Sequence, residues 1–167
     1  MLSAAAFDMG LHGQAFPTFG SERTGAPVMA FCRIDDRPIT FHEPIDEPDA
    51  LIVQDPTLLH QVPVFDGATP TTYLLVNTSR TWADLGIEEY VATHDPERIA
   101  LVPATEIARE TLGRPMPNTA LLGAFAALTD VVSLEAVTAA IRQRFGGRVG
   151  EANVAAAIRA HEVMARA

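Results

Sequence analysis

Apolar residues are distributed along this chain in two different ways. Between positions 51 and 102 they form three short continuous runs, Leu51-Ile52-Val53, Tyr73-Leu74-Leu75-Val76 and Ile99-Ala100-Leu101-Val102. Each run is followed by polar or proline residues and then by a helical pattern. A strand covered on both faces has no solvent side to alternate towards, so continuous runs of this length predict buried parallel strands in an α/β layer. From Ala104 onward the spacing becomes helical. Ala104 to Leu112 is stopped by Gly113-Arg114-Pro115, and Asn118 is placed to cap a helix running to Leu128. Ser133 caps another, in which Leu134, Val137, Ile141 and Phe145 define one buried face and Gly146-Gly147 closes the element. A last helix spans roughly Gly150 to Ala165 with Val154 and Ile158 turned inward. Upstream, residues 2 to 10 predict a short helix ended by Gly10 and Gly13. Val28 to Ile34 and Pro38 to His42 predict two strands joined by a turn at Asp35-Asp36-Arg37. The sum is an α/β fold: a Rossmann-like layered sheet with helices and a helical C-terminal portion, in one domain over residues 1–167.

Composition narrows the setting. The chain has 167 residues, and a domain of that size buries on the order of 70% of the surface its unfolded chain exposes. No run approaches the ~18 apolar residues a membrane span needs. Met1 to Leu11 carries Asp8 and has neither a basic start nor a cleavage pattern, so it reads as a helix and not a signal peptide. A net charge of −9 argues against a nucleic-acid partner, because phosphate backbones require clustered cations. All twelve basic residues are arginine, which excludes Schiff-base chemistry within the chain. Cys32 is the only cysteine; one thiol cannot make an intrachain disulfide or the four-thiolate cage of an iron–sulfur cluster, and this usage fits a reducing, cytoplasmic setting. Its place in a strand predicts a packed thiol. The histidines, His12, His42, His60, His94 and His161, show no metal-type spacing, so no metal site is expected.

The densest chemistry lies in Gln14 to Asp35. Gly20, Gly25, Pro17 and Pro27 fix a backbone path there; Phe16, Phe19 and Phe31 supply bulk, and Glu22-Arg23 supplies opposite charges. We read this as a shaped loop anchored on the following strand. His12, Gln14, Phe16, Phe19, Gly20, Glu22, Arg23 and Gly25 are its candidate contact residues, facing a partner subunit first and a ligand second. Asn118 and Thr119, after Pro115-Met116-Pro117, form a weaker candidate contact. The polar ends of the three apolar runs, Gln54-Asp55-Pro56, Asn77-Thr78-Ser79-Arg80 and Pro103-Ala104-Thr105, are expected along the carboxyl edge of the sheet, where ligands bind in open α/β folds. Turn and capping chemistry is the preferred reading of all three, and no Gly-rich dinucleotide fingerprint follows any of them. No catalytic residue is assigned.

The run FPTFGSERTGAPVMAFCRID, residues 16 to 35, resembles the gamma subunit, or gamma-type domain, of the 2-oxoacid:ferredoxin oxidoreductases, the pyruvate/ketoisovalerate oxidoreductase family. Glu47 to Leu58, Gly113 to Ala126 and the helical stretch from Ser133 resemble the same family in the same order. The resemblance implies a subunit of a multi-subunit enzyme that decarboxylates a 2-oxoacid oxidatively with coenzyme A as co-substrate. Thiamine diphosphate, Mg and iron–sulfur clusters are then expected in partner subunits, with no cofactor in this chain and no activity of the chain alone. It also implies a strand and a Gly-rich turn ahead of the helix that matches Leu2 to Gly10, to be supplied upstream of Met1 or by a partner. The competing reading is a free-standing α/β ligand-binding or regulatory module using the strand ends near Asp55 and Ser79.

Overall fold

The structure is a computed structural model that describes residues 1–18 and 27–165. The candidates Phe19, Gly20, Glu22, Arg23 and Gly25 therefore lie outside the described residues.

The three apolar runs form a parallel sheet in the order β3 (Ala50–Val53), β4 (Tyr73–Asn77), β5 (Ile99–Val102), in the register Leu51↔Leu74↔Ile99. Both faces are covered. Ala50, Ile52, Leu75, Ala100 and Val102 face the main helical layer, while Leu51, Val53, Leu74, Val76, Ile99 and Leu101 face a thinner one. Two-sided burial is why these strands carry no polar alternation.

The main layer holds α4 (Ala104–Leu112), α5 (Asn118–Thr129), α6 (Leu134–Arg144), α7 (Gly147–Met164) and, at its border, α1 (Leu2–Asp8). Helix α5 is buried along most of its circumference. Its closest approach is at Gly123, where a Cβ would lie 2.0 Å from the Ala157 carbonyl oxygen of α7. Ser133 caps α6 as expected, its hydroxyl accepting the Ala136 N–H at 3.1 Å. Asn118 does not cap α5: it is the first helical residue, Pro117 holds the N-cap position, and no side chain caps that end. Proline fits there because the amide it lacks has no partner in a first turn. Along α7, Val154 is buried but Ile158 is 37% exposed, because the buried line runs through Asn153, Ala156, Ala157 and Ala160 instead. The thinner layer consists of a 3₁₀ turn at Pro56–His60 and two one-turn helices, α2 (Trp82–Leu85) and α3 (Glu88–Val91). Among the described residues no helix is long and apolar enough to cross a membrane.

The N-terminal part corrects the sequence reading. Residues His12–Thr18 are not loop but a strand, β1, paired antiparallel with β2 (Met29–Asp35) from His12↔Asp35 to Thr18↔Met29. Pro38 to His42 is not a strand. Pro38 has no N–H to give a ladder, and Asp35 Oδ1 takes the Arg37 N–H at 2.9 Å, which turns the chain away. The segment lies against the hairpin, where the Arg33 Nη2 donates to the Pro44 carbonyl at 3.1 Å.

Candidate functional site

Two places gather chemistry. The first is the face of the β1–β2 hairpin that carries Gln14, Phe16, Phe31 and Arg33. Alternation puts these four on one side, and Phe16 and Phe31 meet across the strands with ring centroids 5.5 Å apart. Arg33 lies over Phe41 at 4.8 Å, and Gln14 Nε2 is 3.3 Å from His42 Nε2. Gln14 Oε1 and Arg33 Nη1 are buried without a hydrogen-bond partner among the described residues. Val28, Met29 and Phe41 stand exposed beside this face. The opposite face carries Gly13 and Cys32 and rests on α1, so closely that a Cβ on Gly13 would sit 2.5 Å from the Ser3 carbonyl oxygen. Burial pushes the Cys32 thiol up, against smaller opposing effects of the N-terminal ammonium and a Ser3 backbone hydrogen bond. His12 is exposed at the foot of β1. Asn118 is exposed at the start of α5. Thr119 is buried, its hydroxyl donating to Asn153 Oδ1 at 3.0 Å and so tying α5 to α7.

The second place is the carboxyl edge of the parallel sheet. Asn77, at the end of β4, is buried and joins all three strand ends: its Nδ2 donates to the Gln54 carbonyl at 2.8 Å and to Thr105 Oγ1 at 2.8 Å, and its Oδ1 accepts the Thr105 N–H at 3.1 Å. The Thr78 N–H continues the ladder to the Val102 carbonyl at 2.9 Å, and its hydroxyl takes the Arg80 N–H at 3.0 Å. Asp55 caps the 3₁₀ turn, accepting from the Thr57 N–H at 2.9 Å. The capping reading therefore holds for these residues singly. The strand ends also meet along one edge, as the sequence led us to expect, and Thr57, Asn77, Thr78 and Thr105 there help bound a cleft of 530 Å³. Its floor is Asn77 to Arg80; Thr57 and His60 form one wall and Thr105, Glu106 and Arg109 of α4 the other. The signal was present in the sequence, since each apolar run ends in polar residues, and parallel register brings such ends side by side.

Two arginines reach this cleft, and neither Arg80 nor Arg109 is in a salt bridge among the described residues. Its two carboxylates are engaged to different degrees. Asp84 accepts from both the N–H and the hydroxyl of Thr81, which hold its carboxyl below the usual range. Glu106 receives only the Ser79 hydroxyl, at 3.5 Å. His60 is fixed by Nε2, 2.8 Å from the Leu85 carbonyl. Among the described residues no group of three or more His, Cys, Asp or Glu is arranged to hold a metal ion.

The family model described as pyruvate ferredoxin/flavodoxin oxidoreductase matches residues 1–163. The chain is 46% identical to the pyruvate/ketoisovalerate oxidoreductases common subunit gamma of Pyrococcus abyssi, over 97% of this chain and 86% of that protein. It is also 46% identical to the pyruvate synthase subunit PorC of Methanocaldococcus jannaschii, over 98% and 86%. Its fold matches the crystal structure of the pyruvate oxidoreductase subunit PORC from Thermotoga maritima with a TM-score of 0.81 at 36% identity, covering 96% of this chain and 84% of that one.

Proposed function

This chain belongs to the pyruvate ferredoxin/flavodoxin oxidoreductase family, and from that membership we propose that it is the gamma subunit of a multi-subunit 2-oxoacid oxidoreductase. The observation that carries the reading is similarity over nearly the whole chain to proteins named as the common subunit gamma of pyruvate/ketoisovalerate oxidoreductases. The reaction of the assembly is the coenzyme A-dependent oxidative decarboxylation of a 2-oxoacid, with electrons leaving to an iron–sulfur acceptor such as ferredoxin.

This chain's own residues do not fit the redox cofactors of such a reaction. An iron–sulfur cluster takes up to four thiolates, and the one thiol here is packed between the hairpin and α1. The thiamine diphosphate, its Mg and the clusters are accordingly assigned to partner subunits, and this chain is assigned the completion of the assembly. The hairpin face is the surface we propose for subunit contact. Supporting this are the exposed Val28 and Met29 at 66% and 58%, and a rigid backdrop of paired aromatics that loses little conformational entropy on docking.

The test is purification of the native assembly, with its mass measured intact and 2-oxoacid-dependent reduction of a dye acceptor assayed with coenzyme A. The chain is expected in stoichiometric amount in the active assembly and inactive alone. Turnover by the isolated chain, or full activity of an assembly lacking it, overturns the reading.

A further inference from the structure

We infer that the β1–β2 hairpin face receives an aspartate or glutamate side chain from the partner subunit, paired with Arg33 and flanked by apolar side chains that cover Met29 and Phe41. The inference rests on the subunit reading and adds to it the charge that the partner carries.

Three observations on this face carry it. Among the described residues Arg33, which is half-buried, is in no salt bridge, and its Nη1 is shut off from water with no hydrogen-bond partner. The acids nearest to it in sequence are engaged elsewhere: Asp35 accepts the Arg37 N–H, and Asp36 lies 3.7 Å from Arg37 Nε. A guanidinium held out of water without a counter-charge is costly, and an arriving carboxylate matches its planar fork of donors. Directly across the strands, Gln14 Oε1 is buried and lacks a donor among the described residues. The place is thus short of an acceptor and a donor, and a peptide that brings a carboxylate brings backbone N–H groups with it. Around these polar atoms the face is apolar, with Val28, Met29 and Phe41 exposed beside the paired ring of Phe16. An arginine set among aromatic and aliphatic side chains that exclude water is the layout of an interface centre.

The same layout selects among occupants. A free inorganic anion would leave the apolar side chains uncovered, whereas a protein surface covers them while one of its side chains reaches Arg33. A second copy of this chain is disfavoured by repulsion between two molecules of net charge −9. Access to Nη1 runs past Phe41, whose ring centroid is 4.8 Å from the Arg33 Cζ. That ring is 53% exposed and belongs to residues 38–45, which are in neither helix nor strand, so it is free to turn aside without disturbing the core.

The test sets the free chain against the assembly. Arg33→Met removes the charge while keeping a long apolar side chain against the rings. Its melting temperature in the free, full chain is expected within about 3 °C of the parent. The dissociation constant of the reconstituted assembly, read by dilution and native mass measurement, is expected to rise roughly tenfold or more. Arg33→Lys, which keeps the charge but not the fork, recovers part of that loss. Arg33→Glu abolishes assembly, and changing a single carboxylate residue of the partner subunit to arginine restores it. A free Arg33→Met chain that melts far below the parent gives Arg33 a counter-charge within its own chain and overturns the inference. Normal assembly of Arg33→Met overturns it as well. If Phe16→Ala weakens assembly in that same experiment, the subunit contact stands and only the carboxylate falls; if neither variant does, the contact falls with it. Self-association of the free parent chain that Arg33→Met abolishes would assign the face to a second copy and overturn the inference likewise.

Discussion

Asn77 and Thr105 hold each other through two hydrogen bonds, the amide nitrogen giving to the threonine hydroxyl at 2.8 Å and the amide oxygen taking the threonine N–H at 3.1 Å. The pair stitches the end of β4 to the first turn of α4, and Asn77 is buried while doing so. Asn77→Ala leaves the Thr105 N–H and the Gln54 carbonyl without this partner, so it is expected to destabilise the fold by ~1–3 kcal/mol. Thr105→Val keeps the backbone bond and costs less. Urea denaturation of both variants measures the difference; equal stabilities would refute the ordering.

Gly123 marks where α5 and α7 touch. A methyl group there meets backbone, 2.0 Å from the Ala157 oxygen and 2.6 Å from its carbonyl carbon, and backbone cannot swing aside as a side chain can. Gly123→Ala ought therefore to force the helices apart, costing ~1–3 kcal/mol despite the better helix propensity of alanine. A melting temperature at or above that of the parent chain would show that the helices separate freely.

The thiol of Cys32 is raised by burial against α1. Less thiolate is present at a given pH, and approach to the half-buried sulfur is hindered, so alkylation by iodoacetamide at pH 8 should run roughly tenfold slower in the folded chain than in denaturant. Mass spectrometry over a time course gives both rates; equal rates would place the thiol in solvent.

Acid weakens this fold through identifiable carboxylates. Glu151 is held below its ordinary range by hydrogen bonds from Arg142 and by that residue's charge, and Asp84 by the N–H and hydroxyl of Thr81. A carboxyl depressed on folding contributes stability that is complete above its unfolded value, near ~4, and is lost as pH falls through the lower folded one. Glu151→Gln and Asp84→Asn should thus melt below the parent chain at pH 7 and converge with it on acidification. Both partners of the Arg142–Glu151 bridge are more than half exposed, so added salt should narrow the Glu151→Gln gap as well. A gap independent of pH would remove ionisation as its cause.

For the proposed subunit contact, Phe16→Ala on the hairpin face, and Phe19→Ala or Arg23→Ala in the adjoining stretch, are expected to weaken assembly by ~2 kcal/mol or more. Recovery of intact complex at decreasing protein concentration provides the readout. Unchanged recovery in all three would move the interface elsewhere.

The parts of this fold that sequence reveals are those whose cause is local. Leu74-Leu75-Val76 could be read as a two-sided strand because burial on both faces removes polar residues from the run itself. Ser133 could be read as a cap because its bond spans three residues. Strand β1 was hidden: Gly13, Gln14 and Pro17 are poor strand formers, and the reason for Gly13 is the carbonyl of Ser3 pressing on it from another element. Ile158 was misplaced because the inner face of α7 is set by small alanines that let α5 approach, and not by its largest apolar residue. The cleft is legible only in part: parallel register puts the ends of the three runs on one edge, whereas His60, Asp84 and Arg109, which also line it, are brought there by packing that no local pattern states.

The two layers on the sheet are unequal, and that inequality divides the molecule dynamically. One face is backed by four helices of nine to eighteen residues. The other is backed by a 3₁₀ turn and helices of only four residues, whose few amide bonds close single turns. Amide hydrogens of α2 and α3 will therefore exchange with solvent by opening of that layer alone, while those of β4 and α5 await unfolding of the whole domain. Because His60, Asp84 and Leu85 belong to the thin layer and Thr105 to the thick one, the cleft has one yielding lip and one fixed jaw. Its aperture is free to breathe on a timescale far shorter than the lifetime of the core beneath it.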